Sequence, residues 1–464
     1  MYLELNKKDK NSIAAIDQSG ASITYGEIIS LSEQFSNWTD GRTLVFMLCA
    51  NNIGTLAGYS ASLCSRIVPL LLDMNLDRQM LGALIETYSP AYIWTPENIA
   101  DSFEYKPQGG AYGYTLLKTG LDAPPLYNEL SLLLTTSGST GSPKLVRHSY
   151  LNLEANARNV AQFFELDANE RPLIDLPMNY TYGLSVVNSH LYAGAKLLLT
   201  NATLTDKHFW DFLKEHKATS FTGVPYSYEI LKKLRFFRMD LPYLKTLSQG
   251  GGKMTEELHR EFAQFALDSG KRFIATFGQT EGTARMAYLP HEKALEKCGS
   301  IGGPIPNGEL FLIDADGNII DEPDTPGEMG FRGKNVTLGY ALSADDLIKG
   351  DERNGVLHTG DIAYRDKDGY YYIVGRKSRF LKIYGFRVSL DECERLVKSK
   401  FDIECACSGS DNNIVFYITE PDIADDVREY ALTKTKINPA ALKVKVISEI
   451  PKNPAGKTIY SKLD

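Results

Sequence analysis

Residues 132–144 read Leu132-Leu133-Leu134-Thr135-Thr136-Ser137-Gly138-Ser139-Thr140-Gly141-Ser142-Pro143-Lys144. An apolar run typical of a buried strand leads into a loop of hydroxyl residues and glycines that ends on a lysine. The glycines let the backbone turn its N–H groups toward one point, and the hydroxyls add further donors. Because an anion needs many convergent donors and little side-chain bulk, the loop predicts a polyphosphate-binding site. The candidate phosphate ligands are Thr136, Ser137, Gly138, Ser139, Thr140, Gly141 and Lys144.

A Ser/Thr/Gly-rich surface linker is the alternative interpretation of this loop. The strand before the loop and a helical pattern after it, with Ser149 as candidate cap, favour phosphate binding. The loop is not a Walker A motif, because it does not end in Gly-Lys-Ser/Thr. The only Gly-Lys-Thr in the chain, at 456–458, lacks the upstream glycine that the motif requires. The sequence therefore argues against a P-loop kinase or GTPase.

Composition narrows the class of protein. The 464 residues are 43% hydrophobic and 23% charged, as expected for a globular chain with a large core. The net charge of −8 argues against a nucleic-acid partner, which requires a broad basic surface. No run of about 18 uncharged apolar residues occurs and no apolar segment follows a basic N-terminus, so we expect neither membrane insertion nor a signal peptide. Six scattered cysteines without zinc-finger or redox spacing favour reduced thiols and a cytoplasmic location.

Strand-like apolar runs alternate with helical patterns through the first three hundred residues. Runs at 43–48 and 66–72 predict strands, and periodic segments at 55–65 and 78–88 predict helices. This alternation predicts an α/β fold with largely parallel sheets. From about residue 300 to 377, short strands separated by glycine-containing turns predict a β-rich subdomain, and a short α+β pattern follows from residue 378.

Five further segments occur along the chain in a fixed order. They are Thr24-Tyr25-Gly26-Glu27-Ile28, Phe277-Gly278-Gln279-Thr280-Glu281, His358-Thr359-Gly360-Asp361, Gly375-Arg376 and Pro451-Lys452-Asn453-Pro454-Ala455-Gly456-Lys457. With the loop, they resemble the adenylate-forming enzymes: acyl-CoA synthetases, peptide-synthetase adenylation domains and firefly-type luciferases. The resemblance covers nearly the whole chain and is strongest to a short acyl-CoA synthetase.

The resemblance implies a large N-terminal AMP-binding domain over residues 1–377 and a small mobile α+β C-terminal domain over residues 378–464. The larger domain would comprise two α/β subdomains and a small β-barrel-like subdomain. The active site would lie between the two domains. Ser378 stands at the implied hinge, where relatives usually carry Asp or Lys.

The implied reaction is ATP-dependent activation of a small or medium carboxylic acid to an acyl-AMP, with release of pyrophosphate and transfer of the acyl group to CoA. Transfer to the phosphopantetheine arm of an acyl carrier protein remains an alternative, because both thiols end in the same pantetheine. A luciferase-like oxygenase is a further alternative that no sequence feature requires. A non-catalytic nucleotide sensor is a fourth, against which the intact Lys144, Glu281, Asp361 and Lys457 argue.

The resemblance also implies roles for single residues. Glu281 and Thr136 would hold Mg²⁺, Thr280 would donate to the α-phosphate, and Lys457 and Lys382 would each serve one half-reaction. The remaining nucleotide-binding residues are Gly250, Gly251, Gly252, Phe277, Gly278 and Gln279 for adenine, and Asp361 and Arg376 for the ribose. We also expect the cations of residues 376–387 to attract the polyanionic substrates.

The candidate acyl pocket departs from common patterns of the family. Its predicted residues are Tyr180, Tyr182, Gly183, Pro225, Tyr226 and Arg285, with ordinary core packing as the alternative. Tyr180 stands where relatives often carry His, and Gly183 where amino-acid-activating relatives carry Asp, so we do not expect an α-amino acid substrate. Arg285 would either pair with a second acidic group on the substrate or form a structural salt bridge.

Overall fold

The computed structural model describes residues 1–135, 144–383, 386–410, 413–435, 438–453 and 456–463. The chain divides into two compact units. The first contains Met1–Glu309 and Phe331–Leu357, and the second contains Leu310–Gly330 and His358–Asp464. The functional domain boundary expected at Ser378 remains a prediction.

The first unit contains a nine-stranded sheet. In spatial order its strands are β16 (Gly303–Pro304), β15 (Ala284–Leu289), β14 (Arg272–Gln279), β13 (Thr246–Gln249), β12 (Ser220–Gly223), β10 (Pro172–Ile174), β11 (Leu197–Leu199), β1 (Ile13–Asp17) and β2 (Ser22–Thr24). The six strands from β14 to β1 are parallel, and β15, β16 and β2 are antiparallel to their neighbours. The carboxyl ends of β12, β13 and β14 therefore meet at one edge of the sheet.

An eight-stranded sheet forms the rest of the β-structure in this unit. Its strands, in order, are β19 (Gly339–Ala341), β9 (Leu145–Ser149), β8 (Leu130–Thr135), β4 (Val68–Asp73), β3 (Leu44–Cys49), β5 (Tyr92–Pro96), β7 (Tyr114–Lys118) and β6 (Lys106–Ala111). The four central strands are parallel, and the outer ones are antiparallel. Strand β8 is the apolar run that the sequence predicts before the glycine-rich loop.

Nine helices of the described residues cover these two sheets. They are α1 (Tyr25–Trp38), α2 (Ile53–Cys64), α3 (Arg78–Tyr88), α4 (Glu97–Ala100), α5 (Tyr150–Phe164), α6 (Thr181–Ala193), α7 (Lys207–Glu215), α8 (Pro225–Lys233) and α9 (Glu256–Asp268). Helices α1, α2, α5 and α6 share one hydrophobic cluster with residues of both sheets, whereas α3 packs on the eight-stranded sheet and α7 to α9 on the nine-stranded sheet. The result is a layered α/β arrangement, as the sequence predicts.

Strand β3 shows how sequence periodicity produces these layers. Val45 and Met47 pack in the cluster between the sheets, whereas Leu44 and Phe46 pack against α3. Successive side chains of a strand point to opposite faces, so a strand covered on both faces is apolar throughout. Capping fixes the helix that follows the glycine-rich loop: the Ser149 hydroxyl accepts a hydrogen bond from the backbone N–H of Asn152, as predicted.

The second unit combines a four-stranded sheet with a small α+β portion. The sheet contains, in order, β17 (Glu309–Ile313), β18 (Gly327–Arg332), β20 (Val356–Arg365) and β21 (Tyr371–Arg376). The α+β portion contains β22 (Phe380–Ile383), β23 (Phe386–Ser389), α10 (Leu390–Phe401), β24 (Cys405–Ser410), β25 (Asn413–Ile418), α11 (Ala424–Thr435) and β26 (Leu442–Val446). Both the β-rich region and the final α+β pattern agree with the sequence prediction.

No helix in the described ranges has the length and apolar character needed to cross a membrane. All six cysteines are free thiols.

Helix α2 approaches the eight-stranded sheet closely enough to require glycine. A Cβ at Gly58 would lie 2.2 Å from Nε1 of Trp94, whose indole donates to the carbonyl of Gly54. By contrast, a Cβ at Gly82, in α3, would meet no atom within 4 Å.

We therefore expect Gly58→Ala to lower the free energy of unfolding by about 1–3 kcal/mol through overpacking. Gly82→Ala should be neutral or should stabilise by up to about 1 kcal/mol, because alanine favours helix. Urea unfolding of both variants checks this pair. Equal effects of the two substitutions would contradict the packing argument.

Candidate functional site

The carboxyl end of β14 leads into a tight turn that carries Glu281. Residues Thr280–Gly282 form a single turn of 3₁₀ helix, and Thr283 and Ala284 then adopt φ values of 52° and 73°. A Cβ at Gly278 would lie 1.3 Å from the carbonyl oxygen of Ala284, so only glycine permits this close return of the chain. Strained backbone of this kind is concentrated at functional sites.

Residues 335–340 fix the turn from one side. The Asn335 amide donates to the carbonyl of Gly282 at 2.8 Å, and both the backbone N–H and the hydroxyl of Thr337 donate to the carbonyl of Glu281 at 3.0 Å. The ring of His148, on β9, lies 3.2 Å from the Thr280 carbonyl through Nε2. These hydrogen bonds hold the carbonyl groups of Thr280, Glu281 and Gly282. They therefore fix the backbone from which the Glu281 side chain extends.

Tyr340 connects Glu281 to the lysine at the end of the glycine-rich loop. Its hydroxyl donates to Oε1 of Glu281 at 2.7 Å, and Nζ of Lys144 lies 3.4 Å from the centre of its ring. The guanidinium of Arg353 lies 4.6 Å from the same ring centre. Burial, together with the adjacent Glu281, raises the pKa of Tyr340 to about 12, so the phenol remains a donor at neutral pH. The turn therefore presents a carboxylate beside two cations.

Glu281 supplies the kind of ligand that a hard divalent cation prefers. No group of three carboxylate, histidine or cysteine side chains that could hold a metal ion occurs among the residues that the structure describes. A Mg²⁺ ion at Glu281 would therefore depend on phosphate oxygens and water for most of its ligands, as is usual for this ion. The other predicted metal ligand, Thr136, lies outside the described residues, as do Ser137, Gly138, Ser139, Thr140 and Gly141.

The glycine triplet follows β13 and adjoins the predicted acyl pocket. A Cβ at Gly250 would lie 2.7 Å from the hydroxyl of Tyr182, and a Cβ at Gly251 would lie 2.6 Å from that of Tyr180. Gly251 also has a φ of 78°, which favours glycine. A Cβ at Gly252 would meet the Pro225 ring at 3.2 Å. The three glycines thus allow these side chains to pack against the end of the strand, close to the half-buried Phe277 and Gln279 of β14.

Two residues predicted for the acyl pocket occupy other surroundings. Tyr226 is 44% exposed at the start of α8, and its role in the acyl pocket stays a prediction. A Cβ at Gly183 would point at the carbonyl oxygens of Pro177 and Leu176, 2.6 and 2.8 Å away. Glycine at 183 is therefore required for close packing of α6 on the preceding loop.

Arg285 forms no salt bridge with any described residue, so the structural ion pair, one of the two alternatives for this residue, is not found in this part of the chain. Its side chain is buried, and Nη1 donates to the Ser185 hydroxyl at 2.7 Å. The guanidinium also lies over the rings of Tyr182 and Phe164, 4.6 and 5.4 Å from their centres. The groups in direct contact with the Arg285 side chain are therefore neutral.

In the second unit, Asp361 and Arg376 are direct cross-strand partners on β20 and β21. Arg376 Nε lies 2.9 Å from the Asp361 carboxylate, and its Nη1 donates to the carbonyl of Thr359 at 3.1 Å. Asp361 is buried, whereas the Arg376 side chain is half exposed. The two residues that the sequence predicts to bind ribose therefore form an ion pair with each other.

The cations expected to attract polyanions are mostly neutralised within the second unit. Lys377 pairs with Glu328 at 2.7 Å, and Arg379 pairs with both Asp391 and Glu394. Arg379 therefore attaches the chain just after Ser378 to α10. Nearby carboxylates balance the charge of Lys377 and Arg379, and the attraction of polyanionic substrates by this segment stays a prediction.

The two predicted lysines of the second unit lie on different elements. Lys382 is on β22, opposite Arg387 on β23. Lys457 is on a turn in which its backbone N–H donates to Oδ1 of Asn453 at 2.9 Å, and Gly456 has a φ of 73°. The turn is closed further by a hydrogen bond from the Asn453 N–H to the Lys457 carbonyl.

The sequence predictions missed Tyr340, Thr337, Asn335 and Arg353. These residues lie 54–72 positions after Glu281, in a segment whose apolar and glycine residues give no signal of a site. Only the three-dimensional fold brings them to the turn.

The chain resembles known proteins in sequence. A family model described as AMP-binding enzyme matches residues 4–341. The chain is 31% identical over 288 residues to an oxalate–CoA ligase of Arabidopsis thaliana, covering 59% of this chain and 53% of that protein. It is 26% identical to a 2-succinylbenzoate–CoA ligase of Oceanobacillus iheyensis, covering 98% of this chain and 96% of that protein. The matched part spans 53%, 65% and 59% of the length of the first three such relatives, that is, less than two thirds.

Solved structures of similar fold cover the whole chain. The o-succinylbenzoate CoA synthetase of Bacillus subtilis, in complex with its acyl-adenylate intermediate, superposes with a TM-score of 0.81 at 21% identity, covering 100% of this chain and 98% of that chain. ATP-bound MatB of Rhodopseudomonas palustris gives a TM-score of 0.80 at 19% identity, with the same coverage. At these identities the similarity shows a shared fold.

The geometry around Glu281 predicts the effect of two substitutions on the binding of Mg²⁺–ATP. We expect Glu281→Gln to weaken binding by at least about tenfold, since an amide holds a hard divalent cation poorly. Tyr340→Phe should weaken binding by about three- to tenfold, because it removes a hydrogen bond to a charged group but keeps the ring. Calorimetric titration measures both.

Tyr243→Phe, at an exposed tyrosine, is the matched control. Normal Mg²⁺–ATP affinity in Glu281→Gln, with the protein folded, would refute the role given to this carboxylate.

Proposed function

This chain belongs to the AMP-binding enzyme family, and from that premise we propose that it joins a carboxylic acid to the thiol of CoA in an ATP-dependent reaction. The observation that carries the proposal is the arrangement of Lys144, Tyr340 and Glu281. It places a carboxylate and a cation beside the end of the glycine-rich loop, as the binding of a Mg²⁺-bound polyphosphate requires. The ligase names of the relatives support the same reaction class.

In the first step, an oxygen of the acid's carboxylate attacks the α-phosphorus of ATP. The new P–O bond gives an acyl-AMP, and the bond to the β-phosphate breaks to release pyrophosphate. Lys144 would neutralise charge on the outer phosphates and Thr280 would donate to the α-phosphate. A Mg²⁺ ion held by Glu281 would supply further neutralisation of the phosphate charge.

Two groups of residues would hold the nucleoside. The buried Asp361 carboxylate, oriented by Arg376, would accept hydrogen bonds from the ribose hydroxyls. The adenine ring would lie on Gly250–Gly252 beside Phe277, because the backbone there carries no side-chain bulk. These contacts fix the α-phosphate so that the two anionic reactants meet in line.

In the second step, the thiol sulfur attacks the carbonyl carbon of the acyl-AMP. A C–S bond forms, the C–O bond to AMP breaks, and the thiol proton leaves to solvent. We propose that Lys457 serves the first step and Lys382 the second, each carried by the C-terminal domain that begins near Ser378. Two lysines on separate elements of one mobile domain can be presented in turn to the same adenylate.

The acceptor and the cellular location complete the proposal. Free CoA is the proposed acceptor, and mass analysis of product formed with free CoA or with candidate carrier proteins distinguishes it from a phosphopantetheine arm. The free thiols at all six cysteine positions are consistent with a reducing compartment, and we place the enzyme in the cytoplasm.

The two-lysine mechanism predicts opposite effects of two variants. Lys457→Ala should lower acyl-AMP formation by about 10²–10³-fold, the effect of losing a contact that stabilises charge in the transition state. Thioester formation from chemically prepared acyl-AMP and CoA should survive that substitution. Lys382→Ala should show the reverse preference, less sharply because no phosphorus is attacked in the second step.

Pyrophosphate exchange measures the first half-reaction, and thioester formation from acyl-AMP measures the second. Lys462→Ala, at an exposed lysine five residues after Lys457, is the matched control and should affect neither. Equal loss of both half-reactions in each variant, with folding intact, would rule out the division of roles.

A further inference from the structure

Arg285 is a buried cation that no described residue neutralises. Its side chain is 2% exposed. It contacts the Ser185 hydroxyl and the rings of Tyr182 and Phe164, and it forms no ion pair with a described residue. Its Nε has no hydrogen-bond partner among the described residues. A buried guanidinium stays charged and is strongly unfavourable unless an anion pairs with it.

The hydrogen bonds around Arg285 hold it in place without supplying charge. The Ser185 hydroxyl, which accepts from Arg285, donates to Oδ1 of Asn156, and the Asn156 amide donates to the Arg285 carbonyl at 2.9 Å. Burial lowers the pKa of Arg285, and the groups that oppose this effect are Tyr182 and Tyr180. The side chain is thus positioned by hydrogen bonds to neutral groups.

Arg285 lines a cavity with a polar floor. The floor consists of hydroxyl side chains on the parallel strands β12 and β13: Ser220, Thr222, Thr246 and Ser248. His190 also lines the cavity; its Nδ1 is bonded to the Val186 carbonyl at 2.8 Å, which leaves Nε2 as an acceptor without a described partner. The carboxylate of Glu170, on the same cavity, accepts from the Thr219 hydroxyl and forms no ion pair with Arg285.

The cavity adjoins the site proposed for the adenylate. The Tyr182 hydroxyl lies 3.3 Å from the Ser248 hydroxyl and 3.1 Å from that of Thr276, and it faces the position where a Cβ of Gly250 would be. Tyr182 therefore contacts both the glycine triplet and Arg285, and an acyl group attached to AMP at the triplet would reach the guanidinium by displacing this side chain.

We propose that Arg285 determines the acid specificity of this enzyme, and that the preferred substrate carries a second anionic group, a carboxylate or sulfonate, that pairs with the guanidinium. The inference rests on the proposed acid–CoA ligation. A planar guanidinium binds such oxyanions with two parallel hydrogen bonds, and the strand hydroxyls can donate to the same oxygens. A neutral acid of the same length would leave the buried charge without a partner.

Initial rates of AMP formation with a panel of acids test this specificity. The panel contains dicarboxylic acids of two to eight carbons, each paired with its neutral half-amide, and sulfonated acids of similar length. We expect wild-type kcat/KM to favour the anionic member of the best pair by about 10²-fold or more, and Arg285→Gln to reduce that ratio to within about threefold.

Arg285→Lys keeps the positive charge and should therefore retain most of the preference for the anionic acid. This variant distinguishes the effect of losing the charge from the effect of a misfolded protein. Arg332→Gln, at an exposed arginine on β18 that pairs with Glu309, is the matched control and should leave the ratio unchanged. The KM for ATP should be unaffected by both Arg285 variants. Comparison of the dicarboxylic acids with the sulfonated acids of the panel shows which oxyanion the enzyme prefers.

The outcomes distinguish the two proposals. If neutral acids are activated as well as their anionic partners, or if Arg285→Gln leaves the ratio unchanged, the inference about Arg285 is wrong and acid–CoA ligation stands. If no acid yields AMP with wild-type enzyme, the proposed function fails, and the inference about Arg285 fails with it.

Discussion

The hydrogen bond from Tyr340 to Glu281 is the constraint on which the rest of the site depends. It joins the turn after β14 to the segment around β19, and through the tyrosine ring it positions Lys144 and Arg353 beside the carboxylate. One tyrosine side chain thus contacts the carboxylate through its hydroxyl and the two cations through its ring. A polyphosphate with a divalent cation needs both an oxygen ligand and nearby positive charge, and this arrangement supplies both.

Parallel strands and glycines explain why such a site forms at this edge of the sheet. Strands β12, β13 and β14 end side by side, and the glycine triplet after β13 lets Tyr180, Tyr182 and Pro225 pack directly against the strand end. In the proposed function, the nucleotide-binding surface and the acyl cavity would therefore share a wall. Substitution at Gly250 would disturb both, because its missing Cβ leaves room for the Tyr182 hydroxyl.

The sequence predicts the elements of the fold well but the contacts within the site only in part. Helix α3 coincides with the predicted 78–88, and the strands near 43–48 and 66–72 are displaced by one or two residues, because apolar periodicity determines the type of an element better than its ends. Asp361 and Arg376 could be paired from their spacing, since both lie on one antiparallel ribbon. The contact between Tyr340 and Glu281 could not be predicted, because two residues that are distant in the chain leave no local sequence pattern when they meet. The sequence leaves two alternatives open for Arg285 for the same reason: the charge of a residue is evident in the sequence, and its partners are not.

The central claim is that the carboxylate of the acid attacks the α-phosphorus of ATP. Incubating the enzyme with ATP, CoA and an acid labelled with ¹⁸O in both carboxyl oxygens tests it directly by mass spectrometry of the products. The account predicts one ¹⁸O in AMP and the other in the thioester. Label in inorganic phosphate, or in none of the nucleotide products, would contradict it.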